Sequence, residues 1–470
     1  MANSYLTRTN SSTGSTTVAT VSMWVKLSSI STDQALWEMY ADNSNYFRLR
    51  YRSDSSLSLQ ADISNSTILN KITNRKFRDT SGWYHIVIQI NLADSTAEDK
   101  IKLYINGERE TSFSTNTNTS VTSGNWVGGG NSFNVTIGRH PSDAAYLQGY
   151  LSHYCFVDGT VVAPTSFGET DSTSGIWKFK SPTGLTFGTN GFHLKFENSG
   201  ALGTDSSGNS NTFTVNGNLK QGLDTPSNVY ATINPLFVND DGATNALTDG
   251  GNTYTSTTRG EWNNMTSTLG ATTGKWYWEV KFTQLINAST IYMNSEGVAS
   301  TDLAPANLNL GEGTRSGYGY GWLCGNRNTT SNTRYLKTVN GTATLTTDSN
   351  NTPVVAGDIV GVAWDATNGK LWFHKNGTYI DDLSGNVGNP STGVYPYHTG
   401  MQTGILYTVW ADNWQNASGT SLIKSYNFGN GFFGTTAITS AGSNGNGSLF
   451  EYDVPSGFYA LNTKNINTYG

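Results

Sequence analysis

The sequence predicts an all-β protein, and three observations carry that expectation. Aromatic residues make up 12% of the 470 positions, with 13 Trp, 24 Tyr and 19 Phe, which is ample bulk for sizeable cores. Good helix formers never gather into runs, whereas Thr, Tyr, Trp and 52 Gly recur along the whole chain. Short segments alternate apolar and polar residues between polar turns, the period of half-buried strands. Charged residues are only 13%, but the aromatic content excludes a disordered chain. The length suits two or three domains rather than one.

In chain order, Val18–Lys26 alternates cleanly, and Tyr46–Tyr51 and Ser56–Gln60 repeat the pattern. Trp83–Ile90 is the longest apolar strand of this half. Ile101–Ile105 runs into Asn106-Gly107, a tight turn because both residues tolerate positive φ. Phe133–Gly138 and Gly149–Val157 add two more strands. The set Met23-Trp-Val-Lys26, Gly82-Trp-Tyr-His-Ile-Val87, Leu103-Tyr-Ile-Asn-Gly107 and Ile137-Gly-Arg139 resembles a laminin-G-like or concanavalin-A-like jelly roll. That resemblance implies pairing of the Trp-Tyr-His strand with the strand entering the Asn-Gly turn. Phe192–Glu197 and Asp205–Asn209 resemble a further strand and loop of this fold, so the first domain is expected to span 1–228.

After Asp224-Thr-Pro226, Gly274-Lys-Trp-Tyr-Trp-Glu-Val-Lys-Phe282 resembles the SPRY domain. Gly357–Asp365 and Gly369–Gly377 read as a buried strand, a turn, and an amphipathic strand ending in a second Asn-Gly turn. Tyr395-Pro-Tyr397 and Leu406–Ala411 fit that family's last strands. The expectation is two β-sandwich (jelly-roll) domains in series, laminin-G/concanavalin-like over 1–228 and SPRY-like over 229–440, then a C-terminal extension over 441–470.

Several functional classes fall away. The net charge is −6 with no basic stripe, so nucleic-acid binding lacks its electrostatic drive. No apolar stretch approaches 18 residues, and Met1–Thr20 lacks the apolar core of a secretory signal, so no membrane insertion is expected. Two cysteines, Cys155 and Cys324, make no disulfide framework. Glycoside hydrolysis needs two facing carboxylates. The nearest echo, Glu169-Thr-Asp171, has Ser174 where a third acid should stand and reads as a turn. The six histidines show no metal-ligand spacing, and no Gly-x-Ser-x-Gly elbow or Walker loop appears. No enzyme is expected.

The binding candidates need aromatic faces for sugar rings and amides or carboxylates for hydroxyls. Trp410, Asp412, Asn413 and Trp414 are read as one late loop of the second domain, with Arg315, Tyr318 and Tyr320 nearby. Trp126, beside Asn125, lies in a Gly-rich loop of the first domain. Most tryptophans in a β-sandwich are core, so these compete with a packing role. Laminin-G-like domains often hold one calcium ion, and Asp205, Asn209 and Asn211 supply hard oxygen donors within seven residues, although the same residues populate plain turns.

Tyr5–Thr9, Phe167–Trp177 and Phe450–Ile466, taken together, resemble structural proteins of tailed phages, especially marine ones. The resemblance implies a non-enzymatic virion protein: a tail fibre, tail-associated adhesin or capsid-surface protein showing lectin-like modules to a host glycan or receptor. Its partners would be other virion proteins and further copies of itself, expected as a trimer, and it would be made in the host cytoplasm and exposed on the particle. A decoration or baseplate component, and more distantly a polysaccharide-degrading enzyme, are the alternatives.

Overall fold

The structure is a computed structural model describing residues 3–118, 121–122, 124, 127–141, 145–239, 245–256, 263–285, 292–301, 317–325, 333–340, 342–415 and 421–470. It divides into two compact units, Met1–Gln221 with Thr225–Ser227, and Gly222–Asp224 with Asn228–Gly470. Each is built on two large antiparallel sheets, so the protein is all-β, with two β-sandwiches in series. No described helix is long and apolar enough to cross a membrane.

The first unit begins with β1 (Tyr5–Thr9), β2 (Val18–Leu27), β3 (Gln34–Asp42), β4 (Asn45–Tyr51), β5 (Leu57–Ile63) and β6 (Ser66–Thr73). It continues with β7 (Tyr84–Asn91), β8 (Ile101–Ile105), β9 (Glu108–Arg109), β10 (Phe113–Asn118), β11 (Asn134–Ile137) and β12 (Gly149–Asp158). The hairpin of β13 (Gly168–Thr170) and β14 (Trp177–Phe179), then β15 (Phe192–Leu194) and β16 (Thr214–Asn216), complete it. One sheet has the order β10-β6-β5-β4-β3-β11-β1-β16 and the other β15-β12-β2-β7-β8-β9. Alternate residues meet between them: Val21, Met23 and Val25 from β2, Ile86, Ile88 and Ile90 from β7, and Trp37, Phe47 and Leu59 from the larger sheet. Fully burying each such side chain contributes roughly 1.5–3 kcal/mol. β7 pairs with β8, and the turn after β8 is held at positive φ by Asn106 (50°) and Gly107 (81°).

The second unit starts with β17 (Ile233–Asn239), β18 (Asn245–Thr248), β19 (Thr253–Ser256), β20 (Asn263–Ala271), β21 (Lys275–Gln284) and β22 (Tyr292–Ser300). Next come β23 (Tyr318–Leu323), β24 (Thr333–Val339), β25 (Thr342–Asp348), β26 (Ile359–Asp365), β27 (Lys370–Lys375) and β28 (Thr378–Tyr379). Then follow β29 (Tyr407–Gln415), β30 (Leu422–Asn427), the hairpin β31 (Phe432–Phe433) and β32 (Thr436–Ala437), β33 (Tyr459–Ala460) and α1 (Thr463–Tyr469). The sheet orders are β17-β20-β29-β22-β23-β24-β25 and β18-β19-β30-β21-β26-β27-β28. Trp276, Trp278, Trp322 and Trp364 fill the space between them.

Residues 441–470 pack within this unit. Phe450, Val454 and Phe458 lie on Tyr277, Ala363 and Trp372 of the outer sheet face, and β33 pairs in parallel with β21. The backbone amides of Glu451 and Tyr452 donate to the buried Glu279 carboxylate at 2.9 and 2.8 Å.

Candidate functional site

On the larger sheet of the first unit the pleat sends Leu6, Val135, Ile137, Trp37, Met39, Phe47, Leu49, Leu59 and Leu69 into the core. The intervening positions face outward. Register then aligns Thr214, Thr7, Thr136, Glu38, Arg48, Gln60, Asn70 and Thr117 as one polar row across all eight strands. Directly opposed side chains across antiparallel strands stand about 4.5–5.5 Å apart, so the groups follow one another in register; Thr136 and Glu38 are buried, and Arg48, Gln60, Asn70 and Thr117 form the stretch open to solvent.

Its middle is a connected network. Arg48 donates through Nη2 to Gln60 Oε1 at 2.7 Å, and its Nη1 lies 3.1 Å from His140 Nε2. The same His140 nitrogen is 3.2 Å from Glu38 Oε1. Gln60 Nε2 donates to the Tyr46 hydroxyl (2.8 Å) and to Asp62 Oδ1 (3.1 Å), and Tyr46 donates to Asp62 Oδ2 at 2.8 Å. The Arg48 guanidinium also sits over the Tyr46 ring, 4.6 Å from its centroid. Burial, then the bond to Asp62, pushes the Tyr46 hydroxyl up to about 12, so it stays a donor at neutral pH. Arg48, Gln60 and Asp62 are half-buried, whereas Glu38 is closed from solvent. Beyond the row, Tyr5 and Tyr146 stand 6.1 Å apart with the Arg139 guanidinium over both rings.

This arrangement supplies fixed donors and acceptors with ring faces at the side, the chemistry that polyhydroxylated ligands require. None of these residues was singled out from the sequence. The available signal was the outward set on two neighbouring strands, Glu38 and Tyr40, then Tyr46, Arg48 and Arg50.

The residues singled out from the sequence lie elsewhere. Trp410, Asp412 and Asn413 do not form a loop; they belong to β29, which continues to Gln415, and all three are buried. Trp410 packs with Ala299, Leu323 and Leu336, so its ring is unavailable to a sugar. Trp414 lies on the same strand opposite Met293. Tyr320 is buried and its hydroxyl accepts from the Gln402 amide at 3.1 Å, while Tyr318 is half-buried on the same strand, β23. Arg315 and Trp126 lie outside the described residues.

Asp205, Asn209 and Asn211 do come together, but as a turn rather than an ion cage. Asp205 Oδ1 accepts from the amides of His193 (2.9 Å) and Ser207 (2.8 Å), and Oδ2 from the Ser207 hydroxyl and the Asn211 amide, both at 2.8 Å. Asn209 and Asn211 turn their Nδ2 groups onto backbone carbonyls, and Asn211 Oδ1 accepts from Arg8. With both Asp205 oxygens on N–H and O–H donors and Asn211 Oδ1 on a guanidinium, these residues do not fit calcium.

The catalytic echoes resolve similarly. Glu169 and Asp171 both reach Lys178 (3.5 and 3.1 Å), and Asp171 Oδ1 caps the amides of Thr173 and Ser174. Ser22 Oγ lies 2.9 Å from His85 Nε2, but Trp177 Nε1 donates to His85 Nδ1 at 3.0 Å. The ring proton is therefore on Nε2, which donates to Ser22 and cannot accept from it. Burial depresses this imidazole to about 3, so it is a structural hydrogen-bonding group.

Residues 1–165 match the family described as the concanavalin A-like lectin/glucanases superfamily. A search of curated proteins finds no match. Among solved structures, a pentraxin from Limulus polyphemus is 16% identical over 34% of this chain and 71% of its own, with a TM-score of 0.25. The SPRY domain of human HERC1 is 14% identical over 41% and 96%, at 0.28. Domains LG4-5 of the mouse laminin alpha1 chain are 7% identical over 93% and 89%, also at 0.28. The family match over residues 1–165 agrees with the two-sheet sandwich of the first unit, a concanavalin-like fold.

Proposed function

We propose that this chain is a non-catalytic carbohydrate-binding protein whose first unit engages glycan along the outer face of its eight-stranded sheet. The half-buried Arg48, Gln60 and Asp62 carry the reading, because their groups are pre-positioned by register and by one another. Pre-ordered partners reduce the entropy lost on binding. In the finer form, the protein is a tailed-phage virion component, a tail fibre, adhesin or capsid-surface protein. It would be displayed outside the cell, assembled with other virion proteins and copies of itself, and directed at a host-surface glycan. That part rests on the sequence resemblance of three segments.

The test is binding of the purified protein to extracted bacterial surface polysaccharides, with a parallel assay for released reducing sugar. Saturable binding without fragments is expected, and Arg48→Ala or Gln60→Ala should weaken it by about tenfold or more, the equivalent of one lost polar contact of about 1.4 kcal/mol. Fragment release, or undiminished binding by both variants, would overturn the reading. Detection of the protein in purified particles tests the virion part separately.

One observation favours the decoration or baseplate alternative. The segment between β28 and β29 exposes Leu383, Val387, Val394 and Tyr395. It is anchored by Trp372 Nε1 donating to Val394 O (2.9 Å) and Lys370 Nζ donating to Gly393 O (2.9 Å). A rigid apolar segment of this kind suits protein contact better than sugar contact.

A further inference from the structure

A strand at the edge of a sheet leaves one side of its backbone open to another chain, so edges are normally guarded by shortness, bulges, proline or charge. Among the described residues, every edge of the four large sheets but one carries such a guard. β15 and β16 have three residues, β18 has four, and β9 and β28 have two. β10 has a register shift between Phe113 and Thr115, and β17 has Pro235 and a shift between Ile233 and Val238. The exception is β25, the outermost strand of the seven-stranded sheet.

β25 reads Thr-Ala-Thr-Leu-Thr-Thr-Asp, with no glycine, proline or basic residue, and all seven of its residues pair with β24 without a bulge. Thr342, Thr344, Thr346 and Thr347 are exposed. Its one charge is withdrawn from the edge. Asp348 is buried and accepts from the hydroxyls of Thr333 (3.1 Å) and Tyr397 (2.8 Å) and from Asn351 Nδ2 (2.8 Å). Val339 pairs with Thr342 across a two-residue loop, and a loop that short closes on a hydrogen-bonded pair. Bonding to β24 then falls on Thr342, Thr344, Thr346 and Asp348, so the N–H and C=O of Ala343, Leu345 and Thr347 point outward. Among the described residues, no backbone group pairs with those three on the outer side.

We propose that β25 pairs antiparallel with β25 of a second copy of this chain, about a twofold axis through Leu345, joining the two seven-stranded sheets into one. The strand is complementary to itself in that register. Leu345 meets its own counterpart, Ala343 meets Thr347 and Thr344 meets Thr346, so no charge stands opposite a like charge. The outward backbone groups coincide as well, and each edge satisfies the other. Leu345 packs beside Trp410, Ala299, Leu323 and Leu336, so the pairing carries that apolar cluster across the axis. A strand of other sequence gains the backbone bonds but not the leucine contact on the axis, which favours a second copy. The flank agrees. Exposed Leu383 and Val387 are held beside the end of β25, where Asn350 Nδ2 donates to Asp382 O (3.2 Å) and Asn351 Nδ2 to Asp381 O (2.9 Å). Each copy's apolar segment then lies toward the start of the other's strand. A twofold contact closes at two copies rather than three. One strand pair with its flank belongs to the small interfaces, below about 1,200 Å², so association is weak and reversible.

The experiment is sedimentation velocity of the full chain over a roughly hundredfold range of concentration, with cross-linking as an independent readout. The wild-type protein should pass from monomer to dimer as concentration rises. Leu345→Lys sets two ammonium groups opposite each other on the axis and should weaken dimerisation by about tenfold or more. Ser114→Lys, on the bulged edge of the first unit, should leave it unchanged. Both native cysteines are buried, so a short bis-maleimide should join Leu345→Cys chains into dimers and leave Ser114→Cys chains single. The cysteine variant adds no charge, and it reports the contact even if Leu345→Lys fails to fold. Monomer at every concentration, a trimer, or undiminished dimerisation by folded Leu345→Lys would overturn the proposal. Equal cross-linking at positions 345 and 114 would overturn it too.

Discussion

Replacing Glu279 with Gln tests how the last thirty residues are tied to the second unit. The carboxylate accepts from four donors: Tyr277 Oη at 3.0 Å and the Tyr452 amide at 2.8 Å on Oε1, and Asn427 Nδ2 at 3.2 Å and the Glu451 amide at 2.9 Å on Oε2. Burial nevertheless outweighs these donors and raises the carboxyl from 4.5 to about 7. The Tyr277 hydroxyl, which also meets His374 Nε2 at 2.7 Å, is the one donor able to turn and accept when the carboxyl is protonated.

A carboxyl whose folded pKa is raised binds its proton more tightly in the folded state. Its contribution is fully present below pH 4.5 and is lost as pH rises through about 7. At 1.36 kcal/mol per unit, the shift amounts to about 3 kcal/mol. Other groups blur the raw profile. Asp412 shifts in the same direction, while His374 and His398, both depressed to about 3 by burial, favour folding as pH rises toward 6.5. The difference between wild type and Glu279→Gln isolates the one carboxyl.

Urea unfolding at fixed pH from 5 to 8 measures that difference, with the second unit's transition assigned by amide exchange in peptides from β21. The Gln NH2, turned toward Tyr277, would face one fixed donor, the Tyr452 amide, at a constant offset of about 1–3 kcal/mol. On top of it, the wild-type advantage should shrink by about 1.4 kcal/mol per pH unit between 5 and 7 and then level off. A difference independent of pH would refute the reasoning, because the carboxyl would then titrate alike in folded and unfolded chains.

Two further expectations concern charges with assigned partners. Lys424→Met strands Glu296 between the sheets with only the Tyr426 hydroxyl, whose oxygen lies 3.2 Å from each carboxylate oxygen. It should cost about 3–5 kcal/mol in urea unfolding, with much of that recovered in the Lys424→Met/Glu296→Gln double variant. Asp205→Ala uncovers the amides of His193, Ser207 and Asn211 and should lower the first unit's stability by about 1–3 kcal/mol. EDTA should not change that unit's transition, because the turn carries its own donors.

The fold was legible where alternation was clean. β7 and β8 read directly from Trp83–Ile90 and Ile101–Ile105, and the Asn106-Gly107 turn followed from its two residues. β3 was not legible, because a bulge between Ala35 and Trp37 puts Ala35, Leu36 and Trp37 all in the interior and breaks the period of two. That same strand carries Glu38, so the centre of the candidate site was hidden by the irregularity that positions it. In β29 the opposite error arose. Asp412-Asn413 has the composition of a turn, but pairing on both sides with β20 and β22 holds it extended, and tertiary context overrides the local preference. The site therefore lies on strand faces, where cross-strand register rather than sequence proximity brings its residues together.

The exposed part of the polar row in the first unit sets how its binding should behave. In the first unit Arg48, Gln60, Tyr46 and Asp62 satisfy one another while three of the four remain half-exposed. A glycan there exchanges hydrogen bonds already made to water and to neighbours, so each contact nets only about 0.5–1.5 kcal/mol. Binding there should be weak and quickly reversible, and many copies displayed together would raise avidity without any new contact.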